Sequence, residues 1–477
     1  MHIQGLVRGD VDQATARANL LAIRAALAQA GVVEEQHLGA GLIQVELDPE
    51  LDRQSIDHGG TEILGIRLNH TVKGLVGEST RETILRWRNV GAAQHLFYVD
   101  SWLAGRNVRL ADFTVECQAA PDHDAQTNVI RHQGNDITPY RETHVLERMR
   151  VTGHVGASVR SNNGDTFLHL EQCELIGDSS VVAYFSNADG TCKHKTLHVR
   201  GGVIDGQGVG VGLYVHPTIA LSVRPADNGT RTRFRGSSRF AVYINGIFND
   251  PTPMTVSYCE VVGAILDESN SHGIQTNAYR RMDIIGCDLR SKKGIQIQHA
   301  AVIDRCHGIG WERAYGGAPG QDVHLTNFIF DANNEPSQGW ERYARPIYAP
   351  TAGRWRITNG RVFGLVDGHV MGGTWPESIE IENVFVTGRA SSCLSTFSGR
   401  LVARRVICDG HVGGFWLGKD DIVSVLAEDC EFRSPDHAGW VTDLTPAANG
   451  KLTGRRNLYY QNQKIAKLGT DTYQFID

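Results

Sequence analysis

The stretch Leu168-His169-Leu170-Glu171-Gln172-Cys173-Glu174-Leu175-Ile176-Gly177 decides the fold of this 477-residue chain. Apolar and polar residues alternate in it, a small residue interrupts the alternation, and a shorter alternating piece runs on to a glycine. The phrase recurs with starts roughly 20–36 residues apart, a spacing typical of solenoid proteins. Further copies stand at Met254–Gly263, Met282–Leu289, Val323–Phe330, Ile379–Val386 and Val425–Phe432.

The alternation has a period of two, which predicts strands rather than helices. Each copy bends after its first strand and continues into a shorter second strand. A third strand follows after a turn rich in glycine or aspartate. Three short strands per coil, stacked in parallel, predict an all-β fold, a single right-handed parallel β-helix. Helical repeats would need a 3.6-residue spacing, and propeller blades would need hairpin signals.

We expect three parts in this solenoid. Residues 1–47 form an N-terminal capping helix and the first strand, residues 48–450 form the β-helix, and residues 451–477 form a C-terminal tail. Asp12 is expected to cap a helix that runs to about Ala30. An amphipathic helix over the first coil would protect the open end of the solenoid.

Composition limits the function classes. The formal net charge is −6, and 21% of residues are charged, so we expect no nucleic-acid partner. We find no apolar run long enough for a membrane span and no secretion signal in residues 1–30. The location is then cytoplasmic or virion-associated, or extracellular if the chain has been trimmed.

The nine cysteines show no C-x-x-C pair, so we expect neither a zinc site nor a disulfide framework. Five of them fall at one position of the repeat, where a small buried thiol fits between stacked coils. These five are Cys173, Cys259, Cys287, Cys306 and Cys430.

The third strands are predicted to carry a ligand groove. We identify them at residues 156–160, 212–216, 241–245, 273–277, 294–298 and 308–312, with similar pieces at 346–349, 414–417 and 439–442 and with apolar residues such as Leu213 and Ile309 facing inward. One outward column is predicted to contain Tyr214, Tyr243, Gln275, Gln296 and Gly310. A second column is predicted to contain His216, Asn245, Asn277, Gln298 and Glu312.

Stacked strands lie about 4.8 Å apart, so each column places a polar or aromatic group at every step. Aromatic rings stack on sugar faces and amides pair with hydroxyl groups, which favours a polysaccharide groove. Trp340, in the long insert 331–344, is a candidate to clamp a sugar ring. A purely structural ladder of stacked amides is the alternative.

Two features carry a resemblance to a known family. A helix precedes Gly39-Ala40-Gly41 and a strand at residues 42–47, and the repeat then runs to about residue 450. In this the chain resembles the pectin-lyase-like superfamily, which implies a right-handed parallel β-helix with a carbohydrate groove along its third strands.

One segment, residues 201–208, is similar to the lead-in of polygalacturonase-type glycoside hydrolases. Ser271-His272-Gly273 is similar to their Gly-His-Gly segment, so His272 is a candidate substrate contact. No Asn-Thr-Asp or Arg-Ile-Lys motif appears, so the acid residues of that family are not carried over.

Hydrolysis of a glycosidic bond needs two carboxyl groups, about 5–5.5 Å apart for retention and about 6.5–9.5 Å for inversion. One or two coil steps approach these spacings. The acids that the sequence places nearest the two columns are our candidate catalytic residues. They are Asp205, Asp267, Glu268 and Glu312.

Elimination at a uronic acid is the second route. It needs a cation to neutralise the sugar carboxylate and a base with a tuned pKa. Arg290, Lys292 and Lys293 form a basic turn before one third strand. Residues 121–124, Pro-Asp-His-Asp, resemble the acidic-histidine motif of alginate epimerases.

The sequence therefore predicts a carbohydrate-active enzyme that cleaves a polysaccharide, with a glycoside hydrolase favoured over a uronate lyase. A tailspike-like or other carbohydrate-binding protein without turnover is the alternative, as is a sugar epimerase or transferase. We expect an oligosaccharide or polysaccharide partner, no cofactor and no metal. A homotrimer is expected if the chain is tailspike-like.

Overall fold

The computed structural model describes the chain in segments. They are residues 1–29, 35–56, 60–68, 74–100, 107–119, 127–133, 142–153, 157–162, 166–177, 181–186, 196–207, 211–217, 219–236, 240–246, 252–263, 272–277, 280–291, 293–309, 312–316, 321–331, 347–349, 353–364, 369–373, 377–388, 392–410, 415–433, 441–442, 452–460 and 474–476. The chain divides into two compact units. Unit 1 is Met1–Phe248 with Tyr258–Val262, and unit 2 is Asn249–Ser257 with Gly263–Asp477.

Unit 1 holds one helix and three sets of stacked strands. The helix is α1 (Gln13–Gln29). First strands are β1 (Gln36–His37), β5 (Gly74–Val76), β8 (Asn107–Ala111), β11 (Glu142–Glu147), β14 (Thr166–Glu171), β17 (Thr196–Arg200) and β20 (Ala220–Arg224). Second strands are β2 (Gly41–Glu46), β6 (Thr83–Val90), β9 (Thr114–Ala119), β12 (Arg150–Gly153), β15 (Glu174–Gly177), β18 (Val203–Gly206), β21 (Arg233–Gly236) and β24 (Glu260–Val262). Third strands are β4 (Gly60–Leu68), β7 (Gln94–Asp100), β10 (Asn128–Gln133), β13 (Ala157–Asn162), β16 (Val181–Ser186), β19 (Val211–Val215) and β22 (Phe240–Ile244), with β3 (Arg53–Ile56) antiparallel to β4.

Unit 2 repeats the three sets and fuses some strands into longer ones. First strands are β23 (Met254–Ser257), β26 (Met282–Ile285), β29 (Ala301–Asp304) and β42 (Leu452–Arg455). Second strands are β27 (Asp288–Arg290), β30 (His307–Ile309), β38 (Ile407–Gly410), β40 (Glu431–Arg433), β43 (Leu458–Tyr460) and β44 (Gln474–Ile476). Third strands are β25 (His272–Thr276), β28 (Lys293–Ile297), β31 (Glu312–Gly316), β33 (Ile347–Ala349), β35 (His369–Gly373) and β41 (Val441–Thr442). Fused strands are β32 (Asp322–Asp331), β34 (Arg354–Gly364), β36 (Ser378–Gly388), β37 (Ser392–Arg404) and β39 (Phe415–Glu428).

Within each unit the coils pair in parallel, each strand with its counterpart one coil on. In unit 1, Leu168 of β14 lies opposite Leu197 of β17, which lies opposite Leu221 of β20, and all three are buried. Parallel crossover connections of this kind are right-handed in nearly all proteins. The predicted all-β right-handed parallel β-helix is confirmed. In unit 2, parallel pairing continues through β43 to β44, within the segment 451–477 that the sequence set apart as a tail.

The corner between the first and second strand repeats one conformation. Gln172 of unit 1 and Arg305 of unit 2 both have a positive φ, 52° in each case, which turns the chain sharply. The backbone N–H of Gln172 donates to the carbonyl of Arg200 one coil on, at 2.7 Å. The corner thus ties each coil to the next.

The residue that follows each of these corner residues faces inward. Cysteine occupies this inward position in both units, as predicted, for example at Cys173 and Cys306. All seven described cysteines are buried free thiols. The Cys173 Sγ donates to the Leu146 carbonyl at 3.1 Å, and the Cys430 Sγ donates to the Ala403 carbonyl at 3.4 Å. Burial raises the pKa of the Cys173 thiol to about 12.

Helix α1 covers the first coil of unit 1, as predicted. Asp12 caps it, because its Oδ1 accepts from the Thr15 N–H at 2.7 Å. Arg24 crosses to strand β4, donating to the carbonyl oxygens of Gly65 at 2.5 Å and Leu64 at 2.6 Å. Among the described residues no helix is both long and hydrophobic enough for a membrane span.

One corner of unit 2 depends on the absence of a side chain. A Cβ atom at position 360 would lie 2.2 Å from the ring of the buried Phe328. We therefore expect Gly360→Ala to lower the free energy of unfolding by about 1–3 kcal/mol through overpacking. Chemical denaturation measures this. Adding Phe328→Leu should restore part of the loss, and an additive double variant would contradict the clash.

Candidate functional site

Seven consecutive third strands of unit 1 align one side chain each into a single column. The pairing register joins each member to the next along the stack. We call this set the arginine–tyrosine column. Its members are Arg67, Tyr98, Arg131, Arg160, Tyr184, Tyr214 and Tyr243.

The same five-residue pattern builds each rung from Tyr98 to Tyr243. The tyrosine or arginine takes the third of the five positions. The first position is apolar or small, the second is buried, and the fifth is polar. Sequence reasoning identified Tyr214 and Tyr243 and missed the rungs before them. The same five-residue pattern can be read in four earlier stretches of the sequence, residues 96–100, 129–133, 158–162 and 182–186.

Tyr184, Tyr214 and Tyr243 form a continuous aromatic surface. The rings of Tyr184 and Tyr214 stack with centroids 4.7 Å apart and planes 12° apart. Tyr243 meets Tyr214 edge-on at 5.6 Å. Burial raises the pKa of the Tyr214 phenol, and the neighbouring Tyr184 adds to the rise, whereas a hydrogen bond with Asn245 opposes it. The Tyr214 hydroxyl is therefore protonated at neutral pH and can donate a proton.

Two arginines stand on successive rungs of the column. Arg131 is paired in register with Arg160, and the Arg160 guanidinium lies 5.1 Å from the centroid of the Tyr184 ring. Adjacent charges on the second strands of unit 1 alternate in sign instead, as in Arg86–Glu116 at 2.9 Å. Two cations on adjacent strands repel each other unless an anion lies close by, and an anionic ligand could supply that charge beside Arg160.

Glu62, His95 and Asn128 lie near the beginnings of β4, β7 and β10, beside these arginines. His95 Nε2 is 3.1 Å from Glu62 Oε2, and Asn128 Nδ2 is 3.1 Å from His95 Nδ1. Glu62 Oε1 is 3.7 Å from an Arg131 guanidinium nitrogen. We call Glu62, His95 and Asn128 the Glu62 network. None of its three residues was among the predicted site residues.

The second predicted column also begins in unit 1. His216 and Asn245 are half-buried, and the Asn245 N–H donates to the Val215 carbonyl at 3.2 Å. A Cβ atom on Gly246 would lie 2.7 Å from His216 Nε2, so the glycine leaves room for the imidazole.

In unit 2 the predicted amides are paired in register. Gln275 lies opposite Gln296, with Ile274 and Ile295 buried beside them. Gln275 Nε2 donates to Asn277 Oδ1 at 3.0 Å, and Gln298 is exposed. These four amides remain candidates for sugar contacts.

The prediction for residues 308–312 is wrong in register. Ile309 ends the second strand β30, and the third strand of that coil is β31. Glu312 lies opposite Lys293 at the beginning of that strand, and Tyr315 takes the place opposite Gln296 that Gly310 was predicted to hold. The short sequence Gly308-Ile309-Gly310 is compatible with a second strand as well as with a third strand, so the sequence alone did not distinguish the two.

The remaining candidates are spread over the chain. Asp205 lies on second strand β18, not on a third strand, and is 3.4 Å from Arg235. His272 begins β25. Asp267, Glu268 and Trp340 lie outside the described residues. In the part of the chain that the structure describes, no three His, Cys, Asp or Glu side chains converge on a metal position.

Comparison with known proteins returned structural likenesses alone. No protein-family model matches the sequence, and no curated protein sequence matches it either. The A-module of mannuronan C-5 epimerase AlgE6 from Azotobacter vinelandii has a TM-score of 0.36 and 10% identity, over 96% of this chain and 98% of that one. The catalytic unit of a GH87 α-1,3-glucanase from Streptomyces thermodiastaticus has 0.36 and 10%, over 98% and 69%.

Tailspike protein 3 of bacteriophage CBA120 has a TM-score of 0.24 and 9% identity, over 100% of this chain and 59% of that one. The assignment of fold rests on the pairing of this chain's own strands. On that pairing, the resemblance to the pectin-lyase-like superfamily holds at the level of fold: the chain is a right-handed parallel β-helix.

Proposed function

We propose that this protein is an enzyme that acts on an acidic polysaccharide bound along the arginine–tyrosine column. The observation that carries the proposal is the placement of Arg131 and Arg160 on successive rungs, directly before three tyrosines. Guanidinium groups bind carboxylates in a fork geometry, and aromatic rings stack on sugar faces. A chain of uronic acid residues presents both features.

We propose proton abstraction at C5, next to the uronate carboxylate, as the reaction. A base removes the C5 proton, and the electron pair of the C–H bond moves toward the carboxylate, where Arg160 stabilises the added charge. In a lyase, that pair forms the C4–C5 double bond as the C4–O bond breaks, and a phenol protonates the leaving oxygen. In an epimerase, a proton returns to C5 from the opposite face.

Tyr214 of β19 and His216, which follows the end of that strand, fit the proton transfers. Tyr214 is protonated at neutral pH and serves as the acid, by the pKa argument above. His216 follows it by two residues, so both lie on the same face of the strand. Imidazole is the side chain best suited to act as a base near neutral pH.

The test is incubation with polymannuronate, polyguluronate and polygalacturonate in D2O, with a neutral α-1,3-glucan as control. We expect deuterium at C5 or an unsaturated, ultraviolet-absorbing product from at least one polyuronate. New reducing ends without deuterium or unsaturation would indicate hydrolysis. Cleavage of the neutral glucan alone would contradict the proposal.

The glycoside hydrolase favoured by the sequence stays a prediction, with Asp205, Asp267, Glu268 and Glu312 as its acids. Among these, Asp205 has a described side chain, and it faces Arg235. Among the described side chains beside the column, Glu62 is a carboxylate, and it already contacts His95 and Arg131. This arrangement favours proton abstraction over a two-carboxylate hydrolysis.

A further inference from the structure

The Glu62 network fixes the protonation of its own members. An amide nitrogen can only donate, so Asn128 Nδ2 donates to His95 Nδ1, and the His95 proton lies on Nε2, facing Glu62. Burial lowers the pKa of His95, although Glu62 opposes the shift. The imidazole is therefore neutral.

The Glu62 carboxylate is ionised in this setting. Burial by itself would raise its pKa, but the close contact with His95 and the positive charges of Arg131 and Arg160 lower it overall. Its other oxygen faces the Arg131 guanidinium, whose side chain is only 11% exposed. A largely buried arginine with a half-buried carboxylate beside it has less charge left for a ligand than an arginine without such a partner.

Arg160 differs from Arg131 in this respect. Its side chain is half-buried and lies over the Tyr184 ring, and its Nε has no hydrogen-bond partner among the described residues. Among the described side chains, Glu62 is the carboxylate beside these two guanidinium groups and it pairs with Arg131, so the positive charge that it does not offset belongs to Arg160.

We propose that the Glu62 network neutralises Arg131 and so makes Arg160 the carboxylate-binding group of this adjacent arginine pair. Glu62 and His95 are positioning residues, and Arg160 selects a sugar that carries one carboxylate at this place. The inference rests on the proposed function for the identity of the ligand, but not for the division of roles between the two arginines.

The experiment is a titration of the full chain with sodium acetate, followed by NMR of arginine side chains labelled with ¹⁵N. Spectra of Arg131→Gln and Arg160→Gln assign the two signals. In the wild type, acetate should shift the Arg160 signal and leave the Arg131 signal in place. In Glu62→Gln, which keeps an oxygen facing His95, the Arg131 signal should shift as well.

Glu116→Gln is the matched control, because Glu116 pairs with Arg86 on the second strands. It should leave both column signals as in the wild type. A wild-type Arg131 signal that responds like that of Arg160 would overturn the inference, as would a Glu62→Gln spectrum identical to the wild type. If the arginines behave as expected but no polyuronate is converted, the proposed function fails and the anion site stands.

The tautomer of His95 gives a second readout that does not depend on any ligand. Long-range ¹H–¹⁵N spectra should show a neutral ring protonated at Nε2. Asn128→Asp places a carboxylate at Nδ1 and should yield a doubly protonated ring at neutral pH. A wild-type ring already doubly protonated there would overturn the network as drawn.

Discussion

Arg160→Gln should lower kcat/KM on a polyuronate by about 100-fold or more, because the charge that develops on the carboxylate in the transition state loses its partner. The loss should fall mainly on kcat, since the tyrosine surface of the column still binds the sugar chain. Arg160→Lys keeps the charge but loses the fork geometry, so an intermediate loss of about 10-fold is expected. Steady-state kinetics on the polyuronate that the D2O assay selects would measure both.

Arg233→Gln is the control for this prediction. Arg233 pairs with Glu260 on the second strands, away from the column, so its replacement should leave kcat/KM unchanged. Circular dichroism and thermal unfolding should show all three variants folded. If Arg160→Gln retained wild-type kcat on the polyuronate, the assignment of Arg160 would be wrong.

Arg24→Ala should lower the free energy of unfolding of unit 1 by about 3 kcal/mol, because it removes one partner of a largely buried ion pair. Arg24 NH1 lies 2.7 Å from Asp52 Oδ1, and the Asp52 side chain is 8% exposed. The substitution also removes the donors to the Gly65 and Leu64 carbonyl groups. Urea denaturation and hydrogen exchange at β4 would measure the change.

Arg17→Ala on the same helix is the matched control. Arg17 pairs with Asp48 at 2.8 Å, but its side chain is 37% exposed, so the loss should stay within about 1 kcal/mol. Equal losses for the two variants would contradict the role assigned to the buried pair. Restored stability in Arg24→Ala with Asp52→Asn would show that the cost comes from the unpaired carboxylate.

The sequence predicted the fold because period-two alternation and the corner residue recur within every coil. Both signals are local, and so Tyr214 and Tyr243 could be placed on one column from their strands alone. Tyr98, Arg131, Arg160 and Tyr184 carry the same pattern. They were missed because the column was built only from later coils, although residues 156–160 were recognised as a third strand.

The Glu62 network could not be predicted in this way. Glu62, His95 and Asn128 are about thirty residues apart in sequence, and their contacts depend on coil length and stacking register together. The length of the loops between strands decides that register. The predicted strand position of Glu312 was wrong for the same reason, because the register of its strand also depends on loop length.

The buried thiols have a consequence for the conditions under which the protein can work. A thiol such as Cys173, with its pKa near 12, is almost never a thiolate at neutral pH, and only the thiolate reacts readily with oxidants or disulfides. Coil stacking therefore needs neither a reducing nor an oxidising environment. The described coils should keep their packing in either environment, since their seven cysteines are buried free thiols.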